Sequence, residues 1–369
     1  FLTYTDYEHD ELEGNEVGTN YSNETLEMRL EMVHTPWGRF HGAFGLQGKA
    51  GEFSATGEEA FIPKTDSSEW GLFVVEDFHS GNFSLEGGLR VDWVERDPDS
   101  RTADKQDFTS LSASLSGLYE LSADWQLGAA FMRGERAPAI EELYSNVDNN
   151  PSDWVVHAAA GAIELGDPGL DTEVSNNLDL SISWLTGEHQ FQLIAFYNDF
   201  SDYINLVNTG AELDEVPVYA YDQEDAEFYG VEVEGDFTLA QMGGGALMLR
   251  VFADSIRGQL DSGDDVPRLP PQRIGARLTW LNDNWNVYGA VEDAADQDRP
   301  GENEEATEGY TRWDAGVEYR TGFGNDSELV LFARLKNITD EEIRLSTSFL
   351  RDFAPEPGQS LEAGLRWRF

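Results

Sequence analysis

The stretch SLSASLSGLYEL, residues 110–121, decides the fold class of this 369-residue chain. Serine occupies positions 110, 112, 114 and 116, while mostly apolar or small residues occupy the odd positions from 111 to 121. An alternation with a period of two is typical of a β-strand that has one polar and one apolar face. The stretch therefore predicts a strand whose two faces meet different surroundings.

The same alternation recurs in NLDLSISW at 177–184, VEVEGDFTL at 231–239 and SLEAGLRWRF at 360–369. About 16 such strands are readable, and the connections between them alternate between short and long. The predicted long connections include segments near 11–17, 137–172 and 201–222. A soluble sandwich gives no reason for that order, whereas an outer-membrane barrel has short periplasmic turns and long extracellular loops. Only a closed barrel crosses lipid without helices. We therefore predict an all-β fold, a transmembrane antiparallel β-barrel with a polar lumen face and an apolar lipid face.

Strand parity assigns individual side chains to the two faces of this predicted barrel. The predicted lumen-facing residues are Ser112, Ser114, Ser181, Ser183, Glu232, Glu234, Glu362 and Arg366. The predicted lipid-facing residues are Leu111, Ala113, Leu115, Leu180, Ile182, Val231, Val233, Leu361 and Leu365. Tryptophans near predicted strand ends are expected to form an aromatic girdle at the membrane interfaces, among them Trp125, Trp184, Trp285 and Trp367.

The composition excludes several classes of protein. The chain has 24 Lys and Arg against 71 Asp and Glu, a formal net charge of −47, which excludes the basic surface that nucleic-acid binding requires. It has no cysteine, so disulfides and thiolate metal sites are excluded. Its hydrophobic content of 40% is too high for a disordered acidic chain. The longest uncharged run, residues 237–249, is shorter than the ~20 residues that a membrane-spanning helix needs.

Five short segments follow one another in a specific order. They are FMRGERAP at 131–138, ELY at 142–144, GDPGLDTE at 166–173, FYNDFSDYI at 196–204 and KNITD at 336–340. Their order and spacing resemble those of the TonB-dependent outer-membrane receptors. The resemblance implies a barrel of about 22 strands around a plug. On this interpretation residues 1–369 form the C-terminal part of the barrel, and the plug, the TonB box and the first strands lie upstream.

The resemblance also implies a function, the import of a scarce metal ion or metal chelate driven by the TonB complex through the plug. The segments EELYSN at 141–146 and TSFLRDFAPEPG at 347–358 resemble the zinc-uptake branch of the family, which makes zinc the favoured substrate. Haem and ferric-siderophore receptors are the alternatives within the family, and a passive porin is the alternative outside it. Zinc receptors often carry a His-rich loop, whereas this chain has six His in all.

Haem receptors of the family carry two boxes with a ligand histidine in the loop between them. The matching box residues here are Arg136, Ala137, Pro138, Asp167, Pro168 and Leu170. The histidine between the two boxes is His157. His157 is a candidate to contact a metal or haem, because a neutral imidazole suits Zn²⁺ and haem iron alike. Simple packing of His157 within the loop is the alternative.

Two acidic segments are further candidates for binding cations. His9, Asp10 and Glu11 combine an imidazole with carboxylates, which suit Zn²⁺ or a hard cation. The stretch 212–227 has seven carboxylates and no base, and it is a candidate for Ca²⁺ or for cations that bridge lipopolysaccharide. Solvated acidic loops are the alternative interpretation of both segments.

No catalytic motif is present, since the sequence contains no G-x-S-x-G, H-E-x-x-H, P-loop or G-x-G-x-x-G. We therefore predict a protein that is not an enzyme and that has no cofactor besides its cargo. The terminal Phe369 resembles the family's recognition signal for the barrel assembly machinery. The expected partners are the TonB complex, the assembly machinery, and the lipid and lipopolysaccharide of the bacterial outer membrane.

Overall fold

The computed structural model describes residues 1–14, 16–157, 160–302, 304–323 and 327–369. Within them the chain forms seventeen β-strands and one short α-helix. In chain order these are β1 (Leu2–Glu13), β2 (Glu16–Val33), β3 (Phe40–Gly57), β4 (Thr65–Ser80), β5 (Phe83–Pro98), β6 (Gln106–Glu120), β7 (Trp125–Arg136), α1 (Ile140–Tyr144), β8 (Ile163–Leu165), β9 (Glu173–Leu185), β10 (His189–Leu213), β11 (Val216–Met242), β12 (Gly245–Leu260), β13 (Arg273–Leu281), β14 (Trp285–Ala294), β15 (Tyr310–Phe323), β16 (Ser327–Lys336) and β17 (Ser360–Arg368).

Sixteen of the seventeen strands form one antiparallel sheet, the wall, in which each strand pairs with the next along the chain. The exception is β8, which pairs in parallel with β11, Ile163 opposite Val218. β8 lies in the connection between β7 and β9, and those two strands pair directly with each other. The prediction of about 16 antiparallel barrel strands is confirmed, and the seventeenth strand belongs to a loop.

The hairpin connections define two ends of the wall. At the short-turn end the strands are joined by segments such as 81–82, 186–188 and 243–244. At the opposite end, the loop end, lie the long connections 137–172 and 337–359. The alternation of short and long connections therefore sorts them onto two opposite edges of the sheet, as in an outer-membrane barrel.

Two connections at the loop end are shorter than the sequence indicated. The sequence predicts long loops near 11–17 and 201–222, yet β1 extends to Glu13, which pairs with Glu16 of β2, and β10 and β11 continue to a two-residue turn. Asp214 and Glu215 form that turn with positive φ values of 51° and 70°. Acidic residues are rare in strands, but pairing along a whole hairpin overrides that weak preference. The acidic stretch 212–227 is therefore mostly strand.

The register of the ladders fixes which side chains share a face, because directly opposite residues in an antiparallel pair point the same way. Ser112 lies opposite Arg90. Ser181 lies opposite Ile194, which itself lies opposite Glu232. Followed across the sheet, the register places all the predicted lumen-facing residues on one face, the polar face, and all the predicted lipid-facing residues on the other, the apolar face. The assignment by strand parity is confirmed.

The wall exposes its apolar side chains, and the buried clusters lie at the loop end. On the apolar face Leu115 is 56% exposed and Leu180 is 52% exposed, so this face requires a non-aqueous partner. Among the described residues, one buried cluster consists of Ala103, Leu143, Tyr144, Leu170 and Ile204. A second consists of Ala226, Leu260 and Val266.

None of the helical residues that the structure describes form a segment long and apolar enough to cross a membrane.

Candidate functional site

The connection between β7 and β9 folds into a compact unit at the loop end. We call its described residues, 137–157 and 160–172, the loop cap. Leu143 of α1 has no exposed surface and packs in one cluster with Leu170 and with Ile204 of β10. The parallel pairing of β8 with β11 ties the loop cap to the β10–β11 hairpin. The longest connection is therefore a small folded structure seated on the wall.

Arg136, at the end of β7, anchors the loop cap. Its guanidinium donates to Glu142 of α1 at 2.8 Å and, through two nitrogens, to Glu173 of β9 at 3.1 and 3.3 Å. Glu142 also accepts the backbone N–H of Ala139 at 2.7 Å. The carbonyl oxygen of Glu142 accepts the N–H of Asp167 at 2.9 Å. The two family boxes, although far apart in sequence, thus converge on one residue of α1.

The remaining box residues shape the backbone and the core of the loop cap. Pro138 is fully buried and Leu170 is 5% exposed. Asp167 accepts the N–H of Gly169 on its Oδ1 at 2.7 Å, which closes a tight turn before Leu170 enters the core. The half-buried box residues beside them are Ala137 and Pro168.

His157 lies in the loop cap with one ring nitrogen engaged. Its Nδ1 is 3.1 Å from Oε1 of Glu164, a residue only 5% exposed. The other carboxylate oxygen of Glu164 accepts a hydrogen bond from the Tyr221 hydroxyl of β11 at 3.3 Å. The ring of Phe61 lies 5.3 Å from the imidazole. Within the described residues Nε2 of His157 has no hydrogen-bond partner, so the contact with Glu164 occupies one ring nitrogen and leaves the other without one.

Acidic neighbours raise the pKa of the His157 imidazole. The hydrogen bond to Glu164 raises the pKa of His157 above its ordinary value, and the negative charges of Glu164, Glu11 and Glu141 act in the same direction while burial opposes them. Glu11 belongs to the acidic segment near the start of the chain. The fold therefore brings a residue of one candidate segment into the electrostatic environment of the other.

Strand alternation divides the candidate segment on β1. His9 and Glu11 point to the polar face, where the imidazole of His9 stacks on Tyr21 with ring centroids 5.0 Å apart and an angle of 11°. Asp10 points to the opposite face, where Asn20 donates its Nδ2–H to the carboxylate at 2.8 Å. His9 and Glu11 thus face the same side as the polar lining of the wall, and Asp10 does not.

Three contributors to the site are absent from the sequence-based candidates: Glu164, Tyr221 and Phe61. Glu164 lies seven residues after His157 in the sequence, but nothing in the sequence indicates their contact. Tyr221 joins them only through the pairing of β8 with β11. Across the described ranges, no three His, Cys, Asp or Glu side chains are arranged to hold a metal ion.

The other predicted residues lie away from this site. Asp222 and Glu224 lie on one face of β11, Asp225 and Glu227 lie on the other, and Asp214 and Glu215 form the turn. Phe369 is 93% exposed and its ring meets that of Trp367 edge to face, with centroids 5.8 Å apart. Trp125 and Trp184 meet on the apolar face at the short-turn end, with centroids 6.3 Å apart, in the position expected of girdle residues.

Comparison with known proteins gives one family and a consistent set of structures. The family model described as TonB dependent receptor-like, beta-barrel matches residues 2–338. The copper transporter OprC is similar in structure, with a TM-score of 0.78 and 18% identity over 95% of this chain and 56% of that chain. The FrpB iron transporter from Neisseria meningitidis gives a TM-score of 0.69 with 14% identity over 95% of this chain and 56% of that chain. A variant of the ferric enterobactin receptor PfeA from Pseudomonas aeruginosa gives 0.66 with 18% identity over 96% and 55%.

These identities establish a shared fold and nothing finer. The chain spans a little over half of the length of the proteins that it matches.

Proposed function

The chain belongs to the TonB-dependent receptor family, and on that premise we propose that it is part of a bacterial outer-membrane receptor that imports a scarce metal ion or metal chelate. Family membership favours uptake energised by the TonB complex over diffusion through a passive porin. The similar structures are named as transporters or receptors, and the sequence contains no catalytic motif. The proposed activity therefore makes and breaks no bond in the substrate.

In this proposal the apolar face contacts lipid, the loop end lies outside the cell and the short-turn end lies in the periplasm. The assignment of the apolar face to lipid agrees with the charges. Arg366 lies on the polar face, whereas an Arg on the lipid face at mid-membrane costs about 2–4 kcal/mol. The acidic stretch 212–227 at the loop end is the proposed contact for Ca²⁺ or for cations bridging lipopolysaccharide. Phe369 is the proposed signal for the barrel assembly machinery.

The observation that carries the proposal is the dyad of His157 and Glu164. A histidine that binds a metal usually donates its other ring N–H to a carboxylate, which fixes the tautomer and increases the basicity of the ligating nitrogen. Glu164 lies in that position at Nδ1, and the Tyr221 hydroxyl holds the second oxygen of the carboxylate. Nε2 of His157 is then the nitrogen oriented for a metal at the loop end.

Zinc is the favoured cargo. Imidazole nitrogen and carboxylate oxygen are donors that Zn²⁺ takes in proteins, and Glu11 contributes a negative charge near His157. Copper is the closest competitor, because sites with nitrogen and oxygen donors generally bind Cu²⁺ more tightly than Zn²⁺. One of the similar structures is named a copper transporter.

Haem or a ferric siderophore is the second candidate, and a row of aromatic rings on the polar face favours it. Tyr7 and His9 lie 5.3 Å apart, His9 and Tyr21 lie 5.0 Å apart, and Tyr21 and Phe53 lie 6.3 Å apart, all measured between ring centroids. A surface of this kind suits a flat or aromatic chelate, since stacked rings gain about 0.5–1.5 kcal/mol beyond their buried area.

The test compares uptake by three variants of the full-length receptor: His157→Ala, Glu164→Gln and the control His79→Ala. His79 is exposed at the opposite, short-turn end. We expect His157→Ala to abolish uptake of one metal species, and Glu164→Gln to weaken its binding by about 10–100-fold, the usual effect of losing such a partner. His79→Ala keeps parental uptake, and all three reach normal surface levels.

Labelled zinc, copper, haem and a ferric siderophore are supplied separately, in cells with and without TonB. Unchanged uptake of all four by His157→Ala contradicts the proposed site. Uptake that persists without TonB contradicts the proposed energised transport and favours the interpretation as a passive porin.

A further inference from the structure

The polar face carries opposite charges on its two sides. Where β11 pairs with β12, this face has four carboxylates and one base, which are Glu232, Glu234, Asp236, Asp254 and Arg250. On β13 to β17 the bases outnumber the carboxylates among the described residues. The bases are Arg273, Arg277, Arg312, Arg320, Arg334, Lys336, Arg366 and Arg368, and the carboxylates are Glu292, Asp314, Glu318, Glu328 and Glu362. A chain with a net charge of −47 therefore has a locally basic surface here.

Several arginines of the polar face pair with a carboxylate two residues away on the same strand, since alternate residues of a strand share a face. The pairs and their N–O distances are Arg29–Glu31 at 2.8 Å, Arg90–Asp92 at 2.6 Å and Arg312–Asp314 at 3.0 Å. Two residues beyond Arg277 stands Thr279, whose hydroxyl accepts from Nε of the guanidinium at 3.4 Å. Among the described residues Arg277 forms no ion pair, so it lacks the carboxylate that its counterparts have.

A stack of groups from three strands holds Arg277 in place. The ring of Tyr288 lies over Gly316 of β15, where a Cβ atom would overlap the ring. The guanidinium carbon of Arg277 lies 3.6 Å from the centroid of the same ring, on β14. A cation over an aromatic face is attracted by the ring. The guanidinium is therefore positioned before any anion binds, which lowers the entropy that binding costs.

The same kind of stack on the opposite side of the wall includes a carboxylate. The ring of Phe73 lies over Gly45, and the guanidinium carbon of Arg29 lies 4.2 Å from the ring centroid. Glu31 then binds Arg29 at 2.8 Å. The two stacks share a glycine, a ring and an arginine, and they differ in the carboxylate. The comparison indicates that the guanidinium of Arg277 is left for a carboxylate of another molecule.

Arg277 lines a pocket of about 280 Å³ on the polar face, together with Arg334 and Lys336 of β16. These two bases share one carboxylate, Glu362, at 3.8 and 3.3 Å. The pocket is therefore bordered by bases from two separate strands, and their charge is only partly balanced. An anion with a single carboxylate can pair fully with one side of this pocket, whereas an anion with two can pair with both.

One carboxylate also lines the pocket. It is Glu318 of β15, and Arg320 binds it at 3.1 Å. Because Arg320 compensates the charge of Glu318, this carboxylate does not cancel the positive charge of the three lining bases. The pocket thus remains suited to an anion.

Resting on the proposed function, we propose that this pocket binds the carrier of a metal chelate, a small molecule with at least two carboxylates. One carboxylate pairs with Arg277, in the place that Glu31 takes beside Arg29. A second carboxylate pairs with Arg334 and Lys336. A guanidinium binds a carboxylate through two parallel N–H bonds, which fixes its orientation. The pocket recognises the carrier, whereas His157 in the loop cap recognises the metal.

The test uses two variants that act on Arg277 in different ways. Arg277→Gln removes the guanidinium. Thr279→Asp keeps it and supplies the carboxylate that the other strands have, so Arg277 is occupied from within the chain. The matched controls are Arg29→Gln, which removes an arginine from the complete stack, and Ser183→Asp, which adds the same charge to the polar face on β9.

The parent and the variants of the full-length receptor are titrated with citrate and with acetate in detergent at constant ionic strength, and binding is measured by calorimetry. We expect the parent and both controls to bind one citrate in preference to acetate. Arg277→Gln and Thr279→Asp should bind citrate about 10–100-fold more weakly, the range expected for loss of hydrogen bonds to a charged group. No citrate binding by the parent, or equal binding by all five proteins, would overturn the proposal.

A carboxylate of the receptor's own plug is the competing occupant, and hydrogen exchange of the full-length receptor detects it. If the plug fills the pocket, Arg277→Gln accelerates exchange in the plug and the parent binds no citrate. That combination also overturns the proposal.

Metal uptake separates this inference from the proposed function. His157→Ala should lose uptake of its metal and keep the citrate affinity of the parent. Citrate binding in a receptor whose uptake does not need TonB contradicts energised transport and leaves the pocket standing. TonB-dependent metal uptake by a receptor that binds no citrate contradicts the pocket alone.

Discussion

The wall and the loop cap are built on opposite principles. The wall exposes residues such as Leu115, which is 56% exposed, and its strands are joined by regular backbone ladders. The loop cap buries Leu143 and Tyr144 completely, and it is fixed by side-chain contacts of Arg136. The wall obtains its apolar partner from outside the chain, whereas the loop cap supplies its own core. The region that we propose to bind cargo is thus the part of the molecule that folds like a small soluble protein.

The largest expected effect concerns assembly of the wall. Removing Phe369 is expected to lower strongly the amount of assembled receptor, while any receptor that does assemble keeps its cargo affinity. Phe369 is 93% exposed, so its loss removes little packing and has to act through recognition. Surface labelling measures the amount, and a cargo-binding assay measures the affinity. Normal surface levels without Phe369 would falsify its proposed role.

A second prediction compares one leucine from each region. Leu143→Ala is expected to destabilise the loop cap by about 2–5 kcal/mol, because a fully buried leucine leaves a cavity. Leu115→Ala on the apolar face is expected to cost less, since lipid fills the space that it vacates. Limited proteolysis measures opening of the loop cap. Heat-induced unfolding in detergent measures the stability of the wall. Equal effects of the two variants on both measurements would contradict the claim that the loop cap depends on its own core and the wall does not.

A third prediction concerns the anchor between the regions. Arg136→Gln loses the ion pairs to Glu142 and Glu173, and the loop cap is expected to loosen by about 1–3 kcal/mol, a range that allows for partial exposure of Arg136. Arg250→Gln is the control, because Arg250 pairs with Asp236 within the wall at 2.8 Å. Hydrogen exchange of loop-cap amides should accelerate in the first variant alone. Unchanged exchange in Arg136→Gln would mean that burial without the ion pairs holds the loop cap in place.

The smallest effect expected is a dependence on pH confined to the loop cap. Glu164 raises the pKa of His157 in the folded protein, so the contact contributes fully below the ordinary His pKa of about 6.5 and is lost as the pH rises through the raised value. After correction for intrinsic rates, hydrogen-exchange protection of the loop cap should be higher near pH 6 than near pH 9. Glu164→Gln should remove that difference. If the difference in protection between pH 6 and pH 9 persists in Glu164→Gln, another titratable group causes it.

The contrast between the regions also explains which features were predictable from the sequence. Period-two alternation is local, so Ser112 and Leu111 could be assigned to their faces before any ladder was known. The sequence predicts a long loop near 201–222, whereas Asp214 and Glu215 form a hairpin turn, because acidic composition is a weaker determinant of structure than pairing along two long strands. The two faces of the wall are therefore predictable from the period-two alternation, whereas the exact ends of its strands are not.

The site depends on contacts that no local pattern records. His157 was a candidate because of its place between two boxes, but its carboxylate partner was not identified. Tyr221 lies 57 residues from Glu164 in sequence, and only the parallel pairing of β8 with β11 brings them together. Asp10 was grouped with His9 by proximity in sequence, although alternation along a strand directs neighbours to opposite faces.

The most direct test of the central claim, that the loop cap holds the cargo site, is an anomalous difference map at the zinc edge from crystals of the full-length receptor soaked in Zn²⁺. The account predicts a peak about 2.0–2.1 Å from Nε2 of His157, with Glu164 still hydrogen-bonded to Nδ1. The same crystals of the His157→Ala variant should lack that peak. Zinc density elsewhere in the receptor, with none beside His157 in the parent, would contradict the claim.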